Sequence, residues 1–558
     1  MASSFVESLP PLPSLPPSVQ SFLSSLPPVP QPIQAFLLSI PPATNAVIES
    51  LPLPLSALVP LALATAYLAS CIHSHRRLSA FPGPPTTSFS YFWLIRTLAS
   101  GQMGRRLADA TSTHGATCRI GPNDLITSDP AVIKRISAAR SGYTRSYWYK
   151  FTRLDPYDDA MMSTLNEKRH DELRTMTAPG YSGRDPEGRS ERVVDKVLGT
   201  VVRVIRERYA EGGDRGKMLD LARMSQYFTL DSISEIAFGL EWGLVEAEED
   251  RFGTMQTVEE IARPSVVVSG IPWLRAFLGS DWLLKFVGPS EKDKKGIGRL
   301  LPMAREVVAA RFGPDGAKRE DEANDDMLGS FIRHGLTQRQ CQTEALFQII
   351  AGSDTTATSI RATLLYIMTT PRVYGALRRE IDEGIRAGRI SSPIKVSEAA
   401  ELPYLQGVIL EGLRLHPPFT GIPSKVVPPQ GDTIDGKFVP GGTRISPSHW
   451  AIGRHKGVFG EDADLFRPER WVPTENAGSE EKEKLAEMRR VAEMAFGYGR
   501  WGCAGKVIAF MELNKVFVEL LRRFDLQLVY PFDPWRSLNF NLFLQHSMWV
   551  NVTMRETD

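Results

Sequence analysis

Four glycines within ten residues surround a single cysteine in Phe496-Gly-Tyr-Gly-Arg-Trp-Gly-Cys-Ala-Gly505. A backbone this free of side chains can turn sharply and lie close to something flat. Cys503 stands at the end of that turn, just before an apolar run over 506–520 that reads as a helix. A thiolate at a helix N-terminus is stabilised by the dipole and by unpaired N–H groups. The pattern predicts an anionic sulfur ligand for a metal cofactor, with a glycine turn around a structural cysteine as the alternative. The other cysteines, Cys71, Cys118 and Cys341, lie far apart and form no CxxC pair. That argues against a disulfide framework and a structural zinc site, and fits a reducing compartment.

Three further groupings carry chemistry. Residues 338–370 read as one long helix between Thr337, a plausible N-cap, and Pro371, a breaker. Its middle, Ala351-Gly-Ser-Asp-Thr-Thr356, is a run of poor helix formers, and local choices that oppose their surroundings tend to mark functional sites. Glu411-Gly-Leu-Arg414 places opposite charges at i and i+3 on one helical face. Taken alone that is a solvent-exposed ion pair worth almost nothing, but it runs into Leu-His-Pro-Pro418, and Phe466-Arg-Pro-Glu-Arg-Trp471 lies downstream. Upstream, His170 and Arg174 stand one helical turn apart in Asn166-Glu-Lys-Arg-His-Asp-Glu-Leu-Arg174.

The cysteine loop resembles the haem-binding loop of the cytochromes P450, on Phe496, Gly497, Gly499, Cys503 and Gly505. It departs in having Arg500 one position early, with Trp501 in the family's arginine place. This arrangement is similar to the fungal pisatin-demethylase-like and benzoate-hydroxylase-like branches. The other motifs match the family in order, with 56 residues from Thr355 to Glu411 and 92 from Glu411 to Cys503. The resemblance covers roughly 82–558 and implies a mainly α fold with small β-sheets. It implies haem b with Cys503 as axial thiolate, which favours O–O cleavage. It further implies that Asp354 and Thr355 relay protons, that Gly352 leaves room for oxygen, and that Glu411, Arg414 and Arg470 form a buried charge network. His170, Arg174 and one of Arg500 and Trp501 are the candidate propionate donors. At Ser424 many relatives have arginine, and Lys425 is the candidate substitute. Family position nominates Phe347, Ile350, Ala351, Phe419, Ile422 and Phe543 as pocket residues, mainly apolar, for a hydrophobic small molecule.

These elements sit in a chain of 558 residues, 42% hydrophobic and 23% charged, which is ample for one large catalytic domain with an appendage. A net charge of +1 gives no sign of a nucleic-acid partner. Residues 1–50 hold eleven of the 41 prolines and read as a disordered or interfacial arm. No charge occurs from Ser50 to Ile72, and His73, His75, Arg76 and Arg77 follow. The expectation is a single-pass transmembrane anchor over 51–74, with the positive flank in the cytosol. A basic, proline-rich hinge over 75–88 then leads to the haem domain over 89–558, and a charged stretch over 475–493 reads as a solvated helix. The whole predicts a monooxygenase on the endoplasmic reticulum membrane that hydroxylates or epoxidises its substrate, with the fungal-type loop pointing to secondary metabolism. The resemblance implies electrons from NADPH–cytochrome P450 reductase, with cytochrome b5 as a second donor, and since no flavin or nicotinamide segment is visible the partner is expected to be a separate protein. Desaturation, oxidative coupling and isomerisation are the alternative reactions on this fold. A non-catalytic haem sensor or electron-transfer protein is the alternative class.

Overall fold

The computed structural model describes residues 55–184, 188–210, 217–313 and 325–555. The proline-rich arm over 1–50 and the first residues of the expected anchor lie outside them. The chain divides into two units, Met1–Arg77 and Leu78–Asp558. In the first, helix α1 covers Leu55–Arg77. Among the described residues no helix is long and apolar enough to cross a membrane; the expected span over 51–74 begins outside them. Thr65 and Ser70 interrupt the apolar run, and the last turn is His75, Arg76 and Arg77.

The second unit is mainly helical with small sheets, as the sequence motifs imply. Seven helices position the site: α2 (Glu167–Tyr181), α3 (Leu221–Phe238), α4 (Thr254–Gly270), α5 (Pro272–Leu278), α6 (Gln338–Thr369), α7 (Pro403–Leu415) and α8 (Lys506–Leu521). Helix α6 is the axis. Its 32 residues span about 48 Å, and α3, α7 and α8 all pack on it. Thr337 caps it as the sequence predicts: its hydroxyl accepts from the Gln340 N–H, and the Gln340 side chain accepts from the Thr337 N–H at 3.0 Å. Pro371 opens the next helix.

The strands β1 (Thr117–Gly121), β2 (Asp124–Thr127), β3 (Thr144–Arg145), β4 (Lys425–Val426) and β5 (Arg444–Pro447) form one sheet in the order β1-β2-β5-β4-β3. Only the β2–β5 pair is parallel. A separate antiparallel hairpin joins β6 (Arg536–Phe540) and β7 (Leu542–His546).

The proline-rich elbow is docked rather than free. Leu78 and Phe81 are buried in the core, and the Arg119 N–H of β1 donates to the Pro82 carbonyl at 2.8 Å. The charged stretch forms a helix, Ser479–Ala492, but Met488, Val491 and Ala492 are buried, so one face belongs to the core.

Helix α7 is wedged between two neighbours at its glycines. A Cβ on Gly407 would lie 2.7 Å from the Pro468 carbonyl oxygen, and one on Gly412 would lie 2.0 Å from the Thr363 hydroxyl of α6. Gly412→Ala should therefore destabilise the domain by roughly 1–3 kcal/mol through overpacking. Thr363→Ala in the same chain should restore part of the loss, read as the denaturant midpoint; equal midpoints for the single and double variants would refute this contact.

Candidate active site

The cysteine loop is built by backbone. Phe496 ends one 3-10 turn, Gly499–Trp501 forms another, and α8 begins at Lys506. The Cys503 N–H donates to the Phe496 carbonyl at 2.7 Å and the Gly502 N–H to that of Gly499 at 3.1 Å. Gly497 and Gly499 take φ of +76° and +63°, a region glycine enters without penalty. At Gly499 the crowding is as strict as the dihedral, since a Cβ would lie 2.2 Å from the Ser137 carbonyl oxygen. The Phe496 ring packs on that of Phe510 at 5.4 Å. Cys503 is exposed at the end of this loop. The sulfur still lies deep enough for burial to push its pKa up, opposed by the N–H groups of Gly505 and Lys506 and by the charges of Arg174 and Lys506.

Beneath the loop, Glu411 is fully buried and completely engaged. Arg414 donates to both its oxygens at 2.8 and 2.6 Å, Arg470 at 2.9 Å and the Trp471 indole at 2.8 Å. The Arg467 N–H adds a further bond at 3.0 Å. The two guanidiniums then reach the carbonyls of Gly453, Ala463, Leu465, Phe459 and Asp462. The network read from Glu411, Arg414 and Arg470 is present, with Trp471 as a member that the sequence left unassigned.

Helix α2 braces the loop from the side. Arg174 donates to the Gly502 carbonyl at 2.7 Å. Arg500 is held by α2, with bonds to Asp171 at 2.9 Å and to the Glu167 carbonyl at 3.0 Å. The Trp501 indole donates to Glu167 at 3.0 Å. Both of the loop's candidate propionate donors thus tie it to α2. His170 is buried, with Nδ1 3.1 Å from Asp171. Burial and the Arg145 charge lower its pKa to about 4, so it is neutral at neutral pH.

A second group of donors gathers around Lys425, and its other members escaped the sequence reading. Arg145 is buried on β3 with its Nη2 unpartnered, and the indole N–H of Trp148 and Nδ1 of His449 are buried without partners. Lys425 on β4 is buried beside them. Its ammonium bonds the Tyr149 hydroxyl and lies 4.3 and 4.4 Å from the ring centroids of Tyr149 and Trp501. Burial and Arg145 push the Lys425 pKa well below the usual lysine range. The signal for this group was the run Arg145-Ser-Tyr-Trp-Tyr149, one cation among aromatics.

On α6, Phe347, Ala351 and Thr355 are half-buried at i, i+4 and i+8, one stripe of the helix, with Ile350 beside them. The Thr355 hydroxyl donates to the Ala351 carbonyl at 3.0 Å. Asp354 faces away from that stripe. It is buried against α3, where Gln226 donates to Oδ1 and Oδ2 has no partner. Burial raises its pKa. Gly352 also faces α3: a Cβ would lie 2.8 Å from Ile233. The missing side chain makes room for helix packing.

Of the nominated pocket residues, Phe419 and Ile422 join one apolar cluster with Leu98, Trp148, Val266 and Ile271. Phe543 instead packs on His416 at 4.3 Å and Trp450 at 6.0 Å between ring centroids. The alternation of β7 turns its neighbour Leu544 toward the cluster of Phe419 and Ile422. Leu544 therefore replaces Phe543 there.

The fold, the cysteine loop and the buried Glu411 network together define a haem-thiolate enzyme class. The chain matches the Cytochrome P450 family over residues 82–554 and belongs to that family; it is a cytochrome P450 monooxygenase. It is 44% identical over 504 residues to "Cytochrome P450 monooxygenase ABA1" of Pyricularia oryzae, covering 89% of this chain and 96% of that one. It is 43% identical over 482 residues to "Cytochrome P450 monooxygenase aba1" of Botryotinia fuckeliana, covering 86% and 92%. A more distant relative is the "Pisatin demethylase" of Fusarium vanettenii, 29% identical over 465 residues, covering 82% and 86%.

The donor set fits the haem that this family implies. Cys503, exposed at the end of its loop, would suit a thiolate ligand, and the unpartnered N–H groups of Arg145 and Trp148, with Lys425, would suit propionate carboxylates. Lys425→Met should speed haem loss to an apo-globin acceptor by about tenfold, the loss of one charge-assisted bond. Lys425→Arg should stay near the parent rate, and an unchanged rate in Lys425→Met would remove Lys425 from the donor set.

Proposed function

We propose that this chain inserts one oxygen atom from dioxygen into a hydrophobic small molecule, by hydroxylation or epoxidation, in fungal secondary metabolism. The observation that carries the reading is Cys503, presented by a backbone-built loop over the Glu411 network in a domain whose α6 turns Thr355, Ala351 and Phe347 to its less buried side. Haem held there supplies dioxygen binding and one-electron chemistry.

The chain's own residues supply the rest. Arg145 and Lys425 hold the cofactor's carboxylates, joined by the neutral His170. Asp354 stores a proton on a carboxyl whose pKa burial has raised, and Thr355 passes it from its hydroxyl. The two point about 100° apart around α6, so Thr355 is the member on the pocket side. Phe347, Ile350, Ala351, Phe419, Ile422 and Leu544 give the pocket its apolar lining. Electrons come from NADPH–cytochrome P450 reductase, with cytochrome b5 as a second donor. The enzyme works at the cytosolic face of the endoplasmic reticulum membrane, where α1, with Leu61, Leu68 and Ile72 exposed, lies in the bilayer interface.

Comparison of metabolites from the native host with and without this chain tests the reaction. A product heavier than the accumulated precursor by one oxygen, about 16 mass units, is expected from haem-thiolate chemistry. A loss of about 2 units would replace the proposal with desaturation or coupling, and no change would replace it with isomerisation. For the proton path, Thr355→Ala should raise hydrogen peroxide released per NADPH consumed several-fold while substrate affinity stays within about twofold. Unchanged coupling would take Thr355 out of the path.

A further inference from the structure

Helix α5 carries an arginine on its buried side. Arg275 is 4% exposed, whereas its neighbours Trp273 and Phe277 are 65% and 64% exposed. It lies four residues after the fully buried Ile271 and so shares its face. Its Nη1 donates to the Ser269 carbonyl at 2.6 Å, and its Nε is enclosed with no partner. Among the described residues no carboxylate forms an ion pair with it. The acid that acts on it at longer range is Asp124, which is already taken. Arg444 binds both Asp124 oxygens at 2.6 Å and the Tyr91 hydroxyl donates to Oδ2 at 2.8 Å.

A third guanidinium, the buried Arg119, also feels Asp124 and bonds the carbonyls of Gly121, Pro122 and Ser88. Arg444 thus occupies the Asp124 carboxylate, and Arg119 and Arg275 feel its charge without bonding it. Burial and Arg444 lower the Arg275 pKa to about 10, so it is still charged at neutral pH. A buried charge without a counter-ion is costly unless something pairs with it.

The elbow that carries Arg275 abuts the apolar cluster assigned to the pocket. A Cβ on Gly270 would lie 2.2 Å from Leu98 Cδ1 and 3.7 Å from Ile422 Cδ1. Val266 and Ile271, on either side of that glycine, are buried in the same cluster as Ile422, and Phe419, Leu274 and Leu544 pack on it. An apolar surface and one uncompensated guanidinium therefore adjoin.

We propose that Arg275 pairs with a carboxylate of the substrate, so that the substrate class is a hydrophobic small-molecule acid. This rests on the monooxygenase reading and on the pocket assignment of Phe419 and Ile422. Planar, bidentate recognition of a carboxylate is what a guanidinium does better than an ammonium.

The haem-loaded full chain is titrated with dodecanoic, phenylbutanoic and geranic acids and with the methyl ester of each, following the haem absorbance. Acids should perturb the spectrum and bind at least about tenfold tighter than their esters. Arg275→Met should weaken the acids by about tenfold to a hundredfold and leave the esters unchanged, with Arg275→Lys between. If no acid perturbs the spectrum, if esters bind as well, or if Arg275→Met weakens both alike, the proposal is overturned. Should Arg275→Met fail to load haem, Arg275→Gln and the parent's acid-to-ester ratio decide. The reduced carbonyl spectrum separates the two levels: its absence in the parent chain overturns the haem-thiolate reading itself, while its presence with equal acid and ester binding overturns only the role of Arg275.

Discussion

Glu411 is a carboxylate with no access to water and no acceptor site left open. Arg414, Arg470, the Trp471 indole and the Arg467 N–H surround it. A buried ion pair is a poor source of net stability, because desolvation offsets most of the attraction. What it does supply is geometry. The carbonyls that Arg414 and Arg470 reach belong to segments from Gly453 to Leu465, which have little regular structure of their own. Backbone groups in such segments need partners as much as those in helices do. The two guanidiniums provide them, and α7 fixes the guanidiniums. The carbonyls of this stretch thereby find the partners that a helix would otherwise supply.

Glu167 plays a comparable part on the other side of the loop. It accepts from the Arg145 N–H at 3.0 Å and from the Trp501 indole at 3.0 Å. Burial would raise its pKa, yet these donors and the Arg145 and Arg500 charges hold it below the usual carboxylate range. One side chain thus couples β3, α2 and the cysteine loop. The same coupling explains why the arginine can stand one position early: Arg500 secures the loop to Asp171, and cationic donors remain on β3 and β4.

Local signals were legible in the sequence, and long-range ones were not. The Thr337 cap, the span of α6 and the start of α8 follow from neighbouring residues. The Glu411 network was legible because two short motifs meet on it. Lys425 could be named but not placed, since its burial depends on Tyr149 and Trp501, which are far away in the chain. Phe543 and Leu544 were indistinguishable because strand phase follows from pairing and packing across the sheet. That Gly352 packs on Ile233 was not legible, because Ile233 belongs to a helix more than a hundred residues earlier.

The way Gly499 meets Ser137 has a consequence for how such a protein changes over time. Backbone touches backbone there, so neither partner can adjust by choosing another rotamer. Gly453 repeats the arrangement, with a Cβ position 2.0 Å from the Arg414 carbonyl oxygen. The elbow around Gly270 differs, because Leu98 and Ile422 meet it through side-chain tips that can be exchanged or repacked. Drift is therefore unequally permitted within one domain. Gly499 and Gly453 admit almost no neutral step, while the contacts around Gly270 leave room for several.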